Sequence, residues 1–288
     1  MKKKFRISKL APYLFIMPFL ISFIIFFAVP SLYSLILSLF KYKGYGGMKF
    51  VGFDNYLSLL QYGTFWKAIG NTLFIYVVHI IPVMVISFLL AVALNSGRVF
   101  LSRYVKGILF LPQITSVVAT ALIFRILLST RTGVINSVLG TKIPFIEDPR
   151  FMKWSIVALV IWRSIGWFMV IFLAGLTTID ESVNDAAAID GANAFRRMIH
   201  ITIPIMKPIF MFAFVMETIS SFKFYTESTL LITGGQSSNI PTASMTIMNL
   251  LTTNINGGAF GMASAVGWIL FLMILVVSLI QFRIFKEE

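Results

Sequence analysis

The residues of this chain best placed to do chemistry are ionisable side chains stranded inside long apolar runs. Arg163 sits in the run from Trp154 to Leu176, and Glu217, Lys223 and Glu227 sit in the run from about Met206 to Ile232. A charge at bilayer depth costs at least ~2.5 to 3.5 kcal/mol on insertion scales, so it faces a partner or a wet cavity. Glu217, Ser220, Ser221, Phe224 and Ser228 recur at i, i+3, i+4, i+7 and i+11, which on one helix draws a polar stripe with an aromatic ring in it. Arg163, Ser164 and Trp167 share a face of the other run. Short hydroxyls, a charged pair and stacking rings suit a polyol, which offers apolar C–H faces and outward hydroxyls. A second reading is equally open: Arg163 and Glu217 form a buried structural ion pair, and the serines pack helix against helix.

Other chemistries lack their residues. The chain has no cysteine, which excludes disulfides, thiolate metal sites and cysteine nucleophiles. His79 and His200 are its two histidines, too few for a histidine-rich metal site, and His79 reads as a packed or backbone-bonded residue. No Gly-x-x-x-x-Gly-Lys-Ser/Thr segment occurs, so the chain cannot split ATP through a P-loop. An integral-membrane enzyme would need a cluster of histidines and carboxylates, which the sequence does not offer. No cofactor is expected.

The elements that must position these residues are membrane spans. Hydrophobic residues make up 58% of the chain and charged ones 12%, against about 25% charged in average proteins, so a soluble globular domain is excluded. The net charge of +13 raises nucleic acid as a partner, but the bases cluster at the edges of apolar runs, where they act as topology signals. No nucleic acid is expected. The apolar runs predict an all-α, polytopic protein with six transmembrane helices at about 12–40, 69–96, 107–128, 154–176, 206–232 and 261–282, forming one domain over 1–288. The first run far exceeds the ~7 to 15 apolar residues of a signal peptide and reads as an uncleaved span. Pro112 starts or kinks the third. Gly234 to Gly258 is an uncharged external segment.

Six spans put both termini on one side. Bases in the tail from Lys2 to Lys9, at Arg98, Arg103 and Lys106, at Arg196, Arg197 and Lys207, and at Arg283 and Lys286 mark that side as the cytoplasm. The expected location is the plasma or inner membrane. Lys41, Lys43, Lys49 and Lys67, then Arg131, Lys142, Arg150 and Lys153, fall in the external loops, so the bias is modest.

Between the fourth and fifth spans lies a polar island, Asp180 to Pro208, overlapping a loop at 177–206. Asp180 can cap a helix, and Glu181 sits where the positive end of a helix dipole favours an acid. Ala186, Ala187 and Ala188 give that helix a smooth face that another protein can approach closely. Gly191 supplies a turn, and Pro204 with Pro208 marks the start of the next apolar helix. Arg196 and Arg197 suit either a protein partner or anionic lipid.

The order Asp185-Ala186-Ala187, three residues, Gly191, nine residues, Ile201, one residue, Ile203-Pro204 resembles the EAA loop of ATP-binding-cassette importer permeases. The usual pattern has Glu at the position of Asp185 and Leu at that of Ile203. Phe50 to Tyr56, Phe65-Trp66 with Asn71-Thr72, Gly133 to Asn136 and Gly261 to Ala265 extend the likeness to the carbohydrate-importing branch, of the maltose and glycerol-phosphate permease type. The resemblance implies a type I importer permease whose loop docks on a separate ATPase through Asp185, Ala186, Ala187, Gly191, Ile201 and Pro204. It also implies a solute cavity lined by residues just before and after that loop. That points to Arg163, Ser164, Trp167, Glu217, Ser220, Ser221 and Phe224. The partners implied are two ATPase subunits that bind the ATP, a second related permease, an extracellular or periplasmic solute-binding protein, a sugar or oligosaccharide, and the lipid bilayer. Two alternatives stand beside this reading. One is a permease for a non-sugar solute such as glycerol phosphate; the other is an ion-driven secondary transporter using Glu217 or Glu227 as a proton site.

Overall fold

A computed structural model describes residues 7–96, 100–231, 242 and 259–285. The basic tail from Lys2 to Arg6, Arg98, the end of the fifth run at Ile232, the Gly234 to Gly258 segment apart from Thr242, and Lys286 lie outside the described residues.

The described residues are helical apart from one two-stranded hairpin, Phe40–Lys41 with Lys49–Phe50, and connecting turns. Four helices are long and apolar enough to cross a bilayer: Pro12–Leu37, Gly63–Asn95 (α4), Pro149–Leu176 (α8) and Phe260–Phe285 (α14). Two bent pairs complete six spans if each is counted as one: Ser102–Ile114 (α5) with Val117–Leu127 (α6), and Ala194–Ile205 with Lys207–Ser221 (α12). The protein is an all-α polytopic membrane protein. Pro12–Leu37 leaves its apolar surface uncovered, which lipid satisfies and water would not.

The residues pack into two compact units. One comprises 1–62 and 247–269, the other 63–246 and 270–288. In the first, α1 (Ile7–Phe23) runs into α2 (Val29–Leu37) through a widened π-turn, Ile24–Ala28, where the Val29 N–H donates to the Ile24 carbonyl. Pro30 follows immediately, and a proline cannot donate to the α-helical ladder. The same pairing of π-turn and proline recurs in the second unit at Met198–Thr202 before Pro204. Asn55, on α3 (Asp54–Gln61), donates to the carbonyls of Ser38 (2.7 Å) and Phe40 (3.0 Å) and so fastens the hairpin to the end of α2.

In the second unit α4 and α8 pack along much of their length around Ile75, Ile156, Leu159 and Val160. α5 crosses α8 closely at Gly166, where an added Cβ would lie 1.9 Å from the Leu109 carbonyl oxygen. The third span differs from expectation. The sequence places its start or kink at Pro112, but α5 continues through that residue to Ile114, and the chain turns 97° at Thr115 and Ser116. Both the N–H and the hydroxyl of Thr115 go to the Leu111 carbonyl, which ends the ladder there. α7 (Val134–Leu139) lies in the connection to α8.

The fifth span also departs from one continuous helix. α12 stops at Ser221, Phe222 to Tyr225 leave the helix, and α13 (Thr226–Leu231) begins anew and packs on α6.

Candidate functional site: a polar cavity and a polar elbow

α8, α12, the break after α12, and α13 enclose a cavity of about 310 Å3. Arg163, Ser164 and Trp167 face it from α8, Glu217 and Ser220 from α12, Lys223 and Phe224 from the break, Glu227 from α13 and Gln113 from α5. All the residues expected from sequence along a solute path line it except Ser221. Ser221 is buried, and its hydroxyl donates to the Glu217 carbonyl at 2.5 Å. Trp167 is 39% exposed and stacks on Phe110 with ring centres 6.2 Å apart, while Phe224 meets the His79 ring edge-on at 5.7 Å.

The charged pair is Arg163 with Glu227, Nη1 to Oε1 at 2.9 Å, and not Arg163 with Glu217 as the second sequence reading has it. Glu217 turns the other way, toward α4. Its Oε1 lies 2.8 Å from His79 Nε2 and accepts from Ser164 Oγ at 3.2 Å. His79 is fully buried, and its Nδ1 lies 2.6 Å from the Ile75 carbonyl, so Nδ1 carries a hydrogen. Ser221 Oγ lies 3.1 Å from the same Nε2, so Glu217 is held toward α4 by a buried network of His79, Ser164 and Ser221. One turn away, Gln281 of α14 donates to Tyr76 Oη (3.0 Å) and Thr218 Oγ1 (2.8 Å), binding α4, α12 and α14 together.

The loop after α8 forms a short helix, α9 (Glu181–Ile189), and a tight turn. Asp180 accepts the Ser182 N–H at 2.9 Å, and that bond holds its carboxyl below the usual carboxylate value. Gly191 takes φ +76°, and the Ala192 N–H reaches back to the Ala187 carbonyl at 2.9 Å, the long bond of a Schellman stop. Asn193 caps α10 (Ala194–Arg197) by accepting the Arg196 N–H at 2.8 Å. The outcome is an elbow in which Asp185, Ala186 and Pro204 are exposed, Ile201 is half-buried and Ala187 is buried.

Residues 72–286, most of the length of the chain, match the family described as binding-protein-dependent transport system inner membrane component. The chain belongs to this family. It is 32% identical to the lactose transport system permease protein LacF of Rhizobium radiobacter over 96% of the chain and 94% of that protein. To the arabinooligosaccharides transport system permease protein AraP of Bacillus subtilis it is 34% identical, over 98% and 91%. A crystal structure of a bacterial ABC transporter involved in the import of the acidic polysaccharide alginate superposes with a TM-score of 0.81 at 24% identity, covering 96% of both chains. The fold of this inner membrane component is thus that of an ABC importer permease.

Sequence reasoning left Lys223, Glu227 and Gln113 out of the path. On an unbroken fifth helix Lys223 points away from the stripe that starts at Glu217, whereas Glu227, seven residues after Ser220, falls at its edge. In the structure the break at Phe222 to Tyr225 places Lys223 in the cavity lining and Glu227 follows on α13. Their charge at membrane depth was the signal that they face something polar.

Proposed function

We propose that this protein is the permease subunit of an ATP-driven, binding-protein-dependent importer of sugars or oligosaccharides, and that the cavity between α8 and α12 is its part of the solute path. The observation that carries this reading is the cavity's position. It lies between the two helices that enter and leave the Asp180 to Pro208 elbow, and it combines aromatic faces with hydroxyl and charged groups. That lining suits a solute with apolar C–H faces and outward hydroxyls. Relatives named for lactose and arabinooligosaccharide transport support the solute class.

In this reading the elbow is the coupling helix, with Asp185, Ala186, Ala187, Gly191, Ile201 and Pro204 meeting one of two separate ATPases that bind the ATP. Both termini are cytosolic, a second related permease completes the path, and a solute-binding protein delivers the sugar on the far side. The chain acts as one permease domain and needs no cofactor of its own. Closure of the ATPases on ATP moves the elbow and with it α8 and α12, which opens the cavity to the other side. Glu217 and Glu227, the acids an ion-driven mechanism would use, are engaged by His79 and Arg163.

The test is uptake of labelled oligosaccharides by cells producing the whole complex, with and without a working ATPase. ATPase-dependent uptake supports the reading. Uptake that persists with this chain alone, or that an uncoupler abolishes while ATP is held constant, refutes it.

A further inference from the structure

Of the four charged residues that line the cavity, three are engaged. Arg163 and Glu227 are paired at 2.9 Å. Glu217 lies 2.8 Å from His79 Nε2. Lys223 remains. Its side chain is exposed to the cavity, and its ammonium has no ion-pair or hydrogen-bond partner among the described residues. Nor does the sequence hold an acid in reserve, for between Asp190 and Glu287 the chain has no acidic residue besides Glu217 and Glu227. The guanidinium of Arg163 also keeps an unused donor, since its buried Nε has no partner among the described residues.

We infer that the transported sugar is acidic, and that Lys223 binds its carboxylate. The inference rests on the sugar-permease reading and narrows it to carbohydrates bearing uronate-type groups. An unpaired ammonium at membrane depth is unfavourable until a counter-charge arrives, and a charge-assisted hydrogen bond to a carboxylate supplies one. One unpartnered ammonium matches a carboxylate, which carries one negative charge, better than a phosphate monoester, which carries about 1.5 to 2 at pH 7. Trp167 and Phe224 stand on the same cavity to receive the apolar face of the ring. At about 310 Å3 the space is at the lower end of the ~300 to 1,000 Å3 typical of small-molecule sites, so it takes a short segment of a saccharide.

The experiment uses the detergent-solubilised complex of both permeases and the ATPases, without its binding protein, so that specificity is read from the membrane subunits. Trigalacturonate, maltotriose and glucose 6-phosphate are titrated, and binding is followed by saturation-transfer NMR. Trigalacturonate is expected to bind about tenfold or more tighter than maltotriose, the scale of one charge-assisted hydrogen bond. Lys223→Gln should erase that preference, weakening trigalacturonate about tenfold more than maltotriose. Equal binding of the two trisaccharides by the unmodified complex overturns the inference, as does a preference that survives Lys223→Gln. Loss of both ligands together assigns Lys223 a structural role, and tighter binding of glucose 6-phosphate than of trigalacturonate refutes the carboxylate. Uptake of maltotriose by cells producing the importer separates the two levels. If it proceeds while uronate binding fails, the acidic-sugar inference alone falls; if no sugar is carried or bound, the sugar-permease reading falls with it.

Discussion

Arg163 of α8 and Glu227 of α13 are joined at 2.9 Å across the point where the fifth span breaks. The pair ties α13, a short helix of six residues that packs on α6, to α8 beside the cavity. Its two side chains keep 16% and 11% of their surface, so the charges are largely withdrawn from solvent.

Removing one member of this pair should therefore destabilise more than removing both. Arg163→Met or Glu227→Leu leaves an uncompensated charge, at a cost on the order of 1 to 3 kcal/mol, less than the ~3 to 5 of a fully buried pair because the cavity admits water. The double variant should recover most of that loss. Thermal unfolding of the purified protein measures all three, and a double variant worse than either single one would show that the pair is no unit. If the double variant is stable yet fails to transport, the pair also serves the solute.

His79 and Glu217 make a second comparison. Glu217→Gln keeps a hydrogen-bonding side chain beside His79 Nε2, so the loss should be no more than about 1 kcal/mol. His79→Leu leaves Glu217, whose side chain is 3% exposed, without this partner, and should cost about 3 to 5 kcal/mol. Unfolding midpoints in the reverse order would show that Glu217 does not depend on His79.

These contacts show how far the sequence could be read. That the chain is built of apolar membrane-spanning helices was legible, as were the helix and turn of the elbow, because apolar runs and the placement of Asp180 and Gly191 are local patterns. The hydroxyl, guanidinium and ring groups of α8 were legible for the same reason: Arg163, Ser164 and Trp167 keep helical spacing within an unbroken helix. The partner of Arg163 was not. Helical periodicity puts both Glu217 and Glu227, the latter seven residues after Ser220, near one face and does not choose between them, and no proline or glycine marks the break at Phe222 to Tyr225. His79 was read as packed or backbone-bonded, and it does bond the Ile75 carbonyl. Its second bond crosses 138 residues to Glu217, which no local pattern encodes.

Gly166 tests the close crossing of α5 and α8. Gly166→Ala places a methyl 1.9 Å from a backbone oxygen of Leu109, so one helix must move, at a cost of about 1 to 3 kcal/mol or more. Gly175→Ala should be milder, because the nearest atom there, at 2.3 Å, is the tip of the flexible Ile209 side chain. Folded yield after detergent extraction would rank them, and equal yields would contradict the tight crossing.

Asp180 provides a pH-dependent test. Its carboxyl titrates below the usual value because the ionised form accepts the Ser182 N–H. A lowered folded value means that the cap's contribution is complete above the unfolded value near 3.8 and is lost as pH falls through the folded one. Protection of the Ser182 amide from hydrogen exchange, corrected for the intrinsic rate, should hold at neutral pH and fall only under strongly acidic conditions. Asp180→Ala should remove it at every pH.

Gly191 connects geometry to coupling most directly. Its φ of +76° lies where side chains are strained, yet no atom stands within 4 Å of an added Cβ, so any penalty arises in the backbone alone. Asparagine enters this region more readily than other residues, whereas a β-branched residue meets a strain of about 1 to 2 kcal/mol or more. Gly191→Asn should thus preserve the bond from the Ala192 N–H to the Ala187 carbonyl, and Gly191→Val should break it and let α9 swing out of line. Membrane insertion should be unaffected in both, because the apolar spans are untouched. Co-purification of the ATPase should then be near normal for Gly191→Asn and several-fold lower for Gly191→Val. Full retention of the ATPase by the valine variant would separate the elbow from the engine it is proposed to meet.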